Sequence, residues 1–318
     1  MLPSLVTLAP IIAHIWNKSI EAGTFPDAGK IAKVVPVFKG KGLDPTEFSN
    51  YRPISLLPIL AKLLERIMCA QLTEYLDSNS LLFKSQYGFR KKHNTDFATM
   101  DFVADIASSV DKGEFAFGVF IDLSKAFDTI NHEVLLQKLK WYGIKGKPLD
   151  WFESYLSGRR QYVEFNGVTS ETLPNTTGVP QGSVLGPLLF LLYVNDLPCS
   201  SETVKMVLFA DDSNLLLKGK RPEDIANIAN GEIEHIQDWF ATNKLLLNAD
   251  KTKLIVFTSR KCRNKPRDTC IKINGVTVKQ VEHETFLGLE LDETLKWYSH
   301  TDKIANCISK KIGVLARI

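Results

Sequence analysis

The stretch from Val204 to Leu217 reads Val-Lys-Met-Val-Leu-Phe-Ala-Asp-Asp-Ser-Asn-Leu-Leu-Leu. Apolar runs of this kind, rich in Val, Leu and Phe, are typical of buried β-strands. Two such runs joined by Asp211 and Asp212 predict a hairpin with the acid pair at its tip. Two-residue hairpin turns usually carry Asn-Gly or Asp-Gly, so an Asp-Asp tip is unusual and brings charge repulsion. Taken alone, the pair is more simply explained as a solvated acidic turn.

A third aspartate, Asp122, gives the acid pair a second interpretation. It follows Phe115–Ile121, an apolar run that predicts a strand covered on both faces. If this strand lies beside the hairpin, Asp122 converges with Asp211 and Asp212. Clustered carboxylates are unfavourable without a cation, and their hard oxygens suit Mg²⁺ together with substrate phosphates. Two such ions, about 3.5–4 Å apart, form the arrangement that promotes in-line attack at phosphorus.

Three segments, taken in order along the chain, resemble a known enzyme family. They are Asp122-x-x-x-Ala126-Phe127-Asp128, the loop Gly178–Pro187, and Phe209-Ala210-Asp211-Asp212. This set is similar to motifs A, B and C of reverse transcriptases, and the wider sequence resembles the non-LTR retrotransposon branch (LINE-type, jockey/CR1-like). The same branch is matched by Asn50–Leu56, Gln86–Arg90, Asn195–Leu197 and Phe286–Gly288. An Asp-Asp pair alone is a weak signal, whereas the ordered set is a specific one.

The resemblance implies an α+β fold of the right-hand polymerase type. We expect a small antiparallel palm sheet backed by helices, together with fingers and the start of a thumb. The N-terminal extension and fingers are expected in residues 1–114, the palm with motifs A to E in 115–290 (the motif B region adjoining the fingers), and a truncated thumb in 291–318. The reverse transcriptase domain as a whole is expected over about 8–297. LINE-type elements usually carry an endonuclease and a longer thumb, so we expect this chain to be a fragment or a decayed copy.

The resemblance also implies roles for particular side chains. Asp122 and Asp211 are expected to hold metal ions with the help of Asp212, and Lys251 is the candidate acid that protonates the leaving pyrophosphate. The ring of Phe127 is expected under the sugar of the nucleotide, where it excludes a 2′-hydroxyl. Simpler alternatives stay open: a surface lysine for Lys251 and a core aromatic for Phe127. The residues expected at the incoming nucleotide are Lys39, Arg52, Lys125, Ala126, Phe127, Gln181 and Gly182.

Positively charged side chains and backbone amides are expected to bind the phosphates and the template. Lys39 and Arg52 offer charge to phosphate oxygens, and the backbone amides of Lys125 and Ala126 are candidates for holding a triphosphate. Arg90–His93 mixes cations with neighbouring aromatic residues, a composition that suits a single-stranded template. A solvated basic loop explains that composition equally well.

The bulk composition is that of an ordinary folded protein. Its 318 residues are 44% hydrophobic and 24% charged, which argues against disorder, and a net charge of +3 does not by itself indicate a polyanion partner. The five cysteines lack CxxC or Cys/His spacing, so we expect no zinc site and reduced thiols. The apolar start at Met1–Trp16 lacks the other features of a signal peptide, and no apolar run reaches membrane-spanning length. An intracellular protein of the cytoplasm or nucleus is expected, neither secreted nor membrane-bound.

The resemblance to reverse transcriptases implies an RNA-directed DNA polymerase that transfers nucleotides from dNTPs to a primer 3′-hydroxyl. The expected cofactors are two Mg²⁺ ions, with Mn²⁺ as an alternative, and the expected partners are an RNA template, a DNA primer and dNTPs. The sequence does not indicate an oligomeric state. An inactive or domesticated nucleic-acid-binding fragment is the alternative from another functional class. An RNA-dependent RNA polymerase or an intron maturase is a nearer alternative, and Phe127 disfavours the first.

Overall fold

The computed structural model describes residues 3–40, 42–123, 126–259, 262, 266–267 and 269–315. The helices are α1 (Pro3–Ala22), α2 (Ile59–Ser78), α3 (Thr95–Asp111), α4 (His132–Trp141), α5 (Lys147–Leu156), α6 (Gly186–Val194), α7 (Pro222–Thr242) and α8 (Tyr298–Leu315). The strands are β1 (Ile31–Phe38), β2 (Tyr51–Leu56), β3 (Phe115–Ile121), β4 (Arg160–Phe165), β5 (Val168–Thr169), β6 (Leu173–Pro174), β7 (Lys205–Phe209), β8 (Asp212–Gly219), β9 (Lys253–Phe257), β10 (Lys272–Ile273), β11 (Val276–Thr277), β12 (Lys279–Gln280), β13 (His283–Phe286) and β14 (Leu289–Asp292). Among the helices described, none combines the length and the hydropathy that a bilayer crossing requires.

Two compact units make up the fold, and each unit draws on two separate stretches of sequence. The first unit comprises Met1–Leu82 and Lys125–Asn195, and the second comprises Phe83–Ser124 and Asp196–Ile318. Each unit contains a five-stranded sheet.

The sheet of the first unit has the strand order β2-β1-β4-β5, with β6 paired to β4. β1 runs antiparallel to β2 and parallel to β4. α4 contacts both α5 and α6. The side chains of α6 are buried all round the helix, as expected for a segment this apolar. Aromatic rings of Phe25, Trp151 and Tyr155 meet at centroid distances of 5.1–5.7 Å and fill the core beside α5.

The sheet of the second unit has the strand order β12-β9-β3-β8-β7. The central strand β3 runs antiparallel to β8 and β9, and all of its residues after Phe115 are buried, which confirms the prediction of a strand covered on both faces. α3 packs against β3 and β7, and α7 packs against β8. Phe102 of α3, Phe120 of β3 and Phe286 of β13 form an aromatic cluster in this core. The two-residue edge strand β12 pairs with β9 in parallel, an exception to the predicted antiparallel arrangement.

Local sequence signals explain where several elements begin and turn. The side chains of Asn94 and Asn131 accept hydrogen bonds from backbone amides three residues later and so cap α3 and α4. The dipeptide Asn-Gly is a strong signal for a two-residue hairpin turn, and Asn166-Gly167 and Asn274-Gly275 both form such turns, with positive φ at every position. These elements need little tertiary information because the side chain or the turn dipeptide supplies the geometry.

The predicted hairpin tip at Asp211-Asp212 is wrong by one residue. β7 ends at Phe209, which pairs with Asp212, so the turn residues are Ala210 and Asp211. Ala210 has a φ of +54°, at a position where hairpin turns usually carry glycine. Asp212 is therefore a strand residue, and Asp211 lies in the turn.

Leu60, Leu63, Leu64, Ile67 and Leu72 repeat at helical spacing and predict a core helix here, and the predicted face is partly wrong. Leu60 and Leu63 belong to the apolar repeat of the sequence, yet they are 54% and 37% exposed. Helical periodicity identifies a face, but the neighbours that cover it decide which residues are buried. The buried side chains of α2 are Ala61, Leu64, Glu65, Met68, Leu72 and Leu76.

Candidate active site

The sheet of the second unit, which contains the strands expected for the palm sheet, brings the three predicted aspartates to one end. Ile121, the last residue of β3, pairs with Ser213 of β8. Extending this antiparallel register by one step sets Asp122 beside Asp212, and Asp211 lies in the adjoining turn. The convergence follows from strand pairing, since β3 and β8 are direct neighbours.

The carboxyl group of Asp212 is influenced by both of the other aspartates. Desolvation by the surrounding atoms, followed by repulsion from Asp211 and Asp122, raises the pKa of Asp212 to about 6. Asp212 is nevertheless exposed as a residue, so the desolvation reflects crowding around its carboxyl group and not enclosure in the core. No hydrogen-bond donor within the described residues reaches the Asp212 carboxylate to offset this repulsion.

The donor set is compatible with a divalent cation. Within the described ranges, no three acidic, histidine or cysteine side chains already surround a common point closely enough to hold an ion. The carboxylates still present the hard oxygen ligands that Mg²⁺ prefers, and desolvation together with repulsion from Asp211 and Asp122 raises the pKa of Asp212. A cation bound between them would relieve the repulsion, so the residues fit such a group.

Lys251 lies at the same end of the palm sheet. The backbone amide of Asn248 donates to the carbonyl of Asp122 at 3.0 Å, and this contact brings the following turn to the acidic end. The Nζ atom of Lys251 is 3.9 Å from Oδ2 of Asp122, and both side chains are substantially exposed. Such an exposed pair contributes little to stability.

Gln86 and Gly88 form a support for the acidic turn that reasoning from the sequence missed. The amide of Tyr87 donates to the carbonyl of Leu208 at 2.8 Å, and the amide of Leu208 donates to Ser85 at 2.9 Å. Gln86 is fully buried, and its Oε1 accepts from the amide of Gly88 at 2.9 Å. A Cβ atom on Gly88 would lie 2.2 Å from the amide nitrogen of Ala210, so only glycine fits there. The signal in the sequence was a glycine between two aromatic residues, Tyr87 and Phe89.

Gln181 and Gly182 lie in a constrained loop of the first unit. The Nε2 of Gln181 donates to Oδ1 of Asp128 at 3.0 Å, and its carbonyl accepts from the amide of Ser55 at 2.7 Å. Gly182 has a φ of +110°, and a Cβ atom there would lie 2.7 Å from the carbonyl oxygen of Ser55. The loop therefore requires glycine both for its backbone conformation and for its close approach to β2.

The other predicted nucleotide-binding residues of the first unit have separate local settings. The ring of Phe127 stacks on Phe190 at 4.8 Å, and Ala126 is buried. Arg52 is exposed on β2, and Nζ of Lys39 donates to the carbonyl of Ser49 at 2.7 Å. Lys125 lies outside the described residues.

The predicted site residues thus fall into two groups. Asp122, Asp211, Asp212 and Lys251 lie together in the second unit. The first unit contains Lys39, Arg52, Ala126, Phe127, Gln181 and Gly182.

Comparisons with known proteins identify the family of this chain. A family model described as reverse transcriptase (RNA-dependent DNA polymerase) matches residues 39–291. The chain belongs to the reverse transcriptase family.

Curated relatives place this reverse transcriptase chain in the predicted branch. The RNA-directed DNA polymerase from mobile element jockey of Drosophila melanogaster is 30% identical over 314 residues, which cover 95% of this chain and 33% of the relative. The probable RNA-directed DNA polymerase from transposon X-element of the same species is 29% identical over 309 residues, again with 95% and 33% coverage. The chain thus spans a third of the length of these relatives, and the predicted non-LTR retrotransposon family is confirmed.

Solved structures confirm the fold class. Telomerase from Candida tropicalis, solved with a TWJ fragment of telomeric RNA, superimposes with a TM-score of 0.56 at 13% identity, over 91% of this chain and 48% of that one. Telomerase from Candida albicans, solved with the same type of fragment, gives a TM-score of 0.55 at 14% identity, over 89% and 48%. At these identities the likeness concerns the fold alone. The shared fold is the reverse transcriptase palm, with its sheets and helices.

Proposed function

We propose that this chain carries the polymerase activity of a retrotransposon reverse transcriptase. The reaction is the transfer of a deoxynucleotide from a dNTP to a primer 3′-hydroxyl, directed by an RNA template. The observation that carries the proposal is the convergence of Asp122, Asp211 and Asp212 at one end of the palm sheet. Unbalanced carboxylates at a strand end suit metal-assisted phosphoryl chemistry better than they suit packing.

The proposed ligands of two Mg²⁺ ions, or of Mn²⁺, are Asp122 and Asp211, with Asp212 beside them. A cation held by these carboxylates would supply Lewis-acid chemistry, with a lower pKa for the primer hydroxyl and less negative charge on the phosphates. Lys251, close to Asp122, donates a proton to the leaving pyrophosphate. The proposed contacts to the nucleotide are Lys39 and Arg52 at its phosphates, the amides of Lys125 and Ala126, the ring of Phe127 at its sugar, and Gln181 with Gly182 at the nascent pair.

The proposed layout follows the order of the motifs along the chain. Fingers occupy residues 1–114, the palm occupies 115–290, and the thumb begins at 291. The partners are an RNA template and a DNA primer, which the protein would meet in the cytoplasm or nucleus. Its longer relatives are named as polymerases of mobile elements, and this supports the same role here.

A primer-extension assay on poly(rA)/oligo(dT) tests the proposal. The wild-type chain should extend the primer with dTTP when Mg²⁺ is present and stop when Mg²⁺ is chelated. Asp211→Asn should abolish extension, because a neutral amide is a poor Mg²⁺ ligand. Asp238→Asn, the same chemical change on the exposed face of α7, should leave extension intact.

The assay also separates a polymerase from a non-catalytic binder. Template–primer binding without any metal-dependent extension would support a domesticated nucleic-acid-binding fragment. Full activity of Asp211→Asn would contradict the assignment of the acidic turn.

Selection of the sugar provides a finer test. Phe127→Val shortens the side chain that is proposed to lie under the sugar, so incorporation of ribonucleotides relative to deoxynucleotides should rise. The measurement is the ratio of kcat/KM for UTP and dTTP. An unchanged ratio would show that Phe127 serves packing, as in its stacking on Phe190, and does not select the sugar.

A further inference from the structure

Glu65 is a charged residue on the buried face of α2. It is 0% exposed and lies beside Ala61, Leu64 and Met68 on the same helix. Removal of a carboxylate from water destabilises a fold unless hydrogen bonds replace the lost solvation. Burial accordingly raises the pKa of Glu65, and hydrogen bonds from the amides of Leu185 and Val184 oppose the rise. An apolar side chain would satisfy packing alone, so the carboxylate points to a role in these hydrogen bonds.

Both hydrogen bonds are made by one carboxylate oxygen. Oε2 of Glu65 accepts from the amide of Val184 at 2.6 Å and from the amide of Leu185 at 3.2 Å. These amides immediately precede α6, where backbone N–H groups lack partners within the helix. Glu65 therefore caps α6 from a helix more than a hundred positions away in the sequence.

The sequence of α6 supplies little anchoring of its own. Its first turn has no acidic residue, and Leu185 at the N-cap position provides no side-chain hydrogen bond. Ser183 contributes locally, since its Oγ accepts from the amide of Gly186 at 3.0 Å and donates to the carbonyl of Pro180 at 2.8 Å. The negative charge that a helix N-terminus favours comes from Glu65 instead.

The segment that Glu65 holds is continuous with the loop that carries Gln181. That loop is fixed to β2 by the bond between Ser55 and the Gln181 carbonyl, and to Asp128 through the Gln181 side chain.

Further backbone bonds hold the start of the loop, from the amide of Gly178 to the carbonyl of Ile130 at 2.8 Å and from the amide of Val179 to the carbonyl of Phe127 at 2.9 Å. Glu65 adds the attachment on the helical side. A loop held at both of its ends keeps its side chains in one arrangement, which is what a substrate contact requires.

We propose that Glu65 is a positioning residue for the nucleotide-binding loop, and that its carboxylate sets where Gln181 lies by holding the amides of Val184 and Leu185. The inference rests on the function proposed above for Gln181. Glu65 does not touch the substrate and acts through the loop.

Three variants and one readout of function test this role. Glu65→Leu removes the acceptor, Glu65→Gln keeps an oxygen but not the charge, and Met68→Ala perturbs the same buried face without touching a hydrogen bond. Glu65→Leu should raise KM for dTTP about tenfold with a smaller change in kcat. Glu65→Gln should lie between Glu65→Leu and the wild type, because hydrogen bonds to a charged acceptor are stronger than neutral ones. Met68→Ala should lower stability but leave KM unchanged.

A double mutant locates the effect. In a Gln181→Ala background, Glu65→Leu should raise KM much less than in the wild type, because the side chain that it positions is already absent. If the fold-changes in KM of Glu65→Leu and Gln181→Ala multiply in the double mutant, the proposal is overturned. A rise of KM in Met68→Ala equal to that in Glu65→Leu would also overturn it.

Hydrogen exchange provides a readout that does not need activity. In Glu65→Leu, the amides of Val184 and Leu185 should exchange about tenfold faster, while amides in the middle of α6 stay protected. Glu65→Gln should show a smaller acceleration and carries the test if Glu65→Leu does not fold. Unchanged exchange at these two amides would overturn the role of Glu65. If the wild-type chain does not extend primers, the proposed function is overturned. The exchange result then still tests whether Glu65 holds the amides of Val184 and Leu185.

Discussion

Asp212 and Asp292 are aspartates at strand ends of the same unit, and their pKa values shift in opposite directions. Burial alone would raise the pKa of Asp292, but hydrogen bonds from Lys296, Trp297 and Thr294 outweigh it and lower the pKa. Around Asp212, desolvation is not opposed by such donors and repulsion from Asp211 and Asp122 adds to it, so the pKa rises to about 6. A carboxylate that serves the fold is surrounded by donors, whereas one that serves a ligand is left for the ligand to neutralise.

The geometry around Asp292 shows how a structural carboxylate is satisfied. Its Oδ1 accepts from the amide of Thr294 at 2.9 Å, the hydroxyl of Thr294 at 2.8 Å and the amide of Lys296 at 3.1 Å. Its Oδ2 accepts from the amide of Trp297 at 2.8 Å. Four donors from the five residues that follow it close the chain into a turn directly before α8.

The largest expected effect comes from Asp122→Asn, which should separate activity from stability. Primer extension should fall about 10²- to 10³-fold or more, because a ligand charge at the reacting phosphate is lost. The free energy of unfolding, measured in urea, should stay level or rise, because one of three repelling charges is removed. A large loss of stability would show that Asp122 is a structural acid like Asp292.

The same substitution at Asp292 should have the reverse outcome. Asp292→Asn replaces one accepting oxygen with a donor that faces backbone N–H groups, so the free energy of unfolding should fall by about 2–3 kcal/mol. Activity per folded molecule should change little in the extension assay.

The dependence of stability on pH provides a further test of the role of Asp292. Because the folded pKa of Asp292 is below its ordinary value of 3.8, its contribution is complete above that pH and is lost as the pH falls through the folded value. The stability difference between wild type and Asp292→Asn should therefore shrink in acid below pH 3.8. A difference that persists there would contradict the assigned role.

A smaller effect is expected where the acidic turn meets its support. Gly88→Ala places a methyl group against the amide of Ala210, and overpacking of this kind destabilises by about 2 kcal/mol. The shifted turn should also lower kcat for extension. Gly231→Ala in α7 is the matched control, since a Cβ atom there meets nothing within 4 Å, and it should stabilise by roughly 0.5–1 kcal/mol. If the two variants changed stability and kcat equally, the contact between Gly88 and Ala210 would have no special role in holding the acidic turn.

The smallest effect is the stabilisation of the free protein by metal. Mg²⁺ at about five times its Kd should raise the free energy of unfolding by about 1 kcal/mol, in the wild type and in Asp292→Asn alike. The gain should disappear in Asp212→Asn if that carboxylate shares the ion. Thermal melts with Mg²⁺ or with chelator measure it, and a gain retained in Asp212→Asn would assign the ion to other ligands.

Much of the fold was predictable because its signals are local. The caps at Asn94 and Asn131, the Asn-Gly turns and the buried strand ending at Asp122 each depend on a few adjacent residues. Glu65 and Gly88 were not recognised as supports, because their partners are distant in the sequence. One indication for Glu65 was present, since an acid at position 65 interrupts an apolar helical face.

The sequence by itself determined the family, the order of the motifs and the identity of the three acids, because apolar runs and turn dipeptides encode their own geometry. Tertiary structure alone decided that Ala210 and Asp211 form the turn, that Glu65 caps α6, and that only glycine fits at position 88. Each of these depends on the register and close approach of segments far apart in the chain. Packing sets such distances, and no local pattern records them.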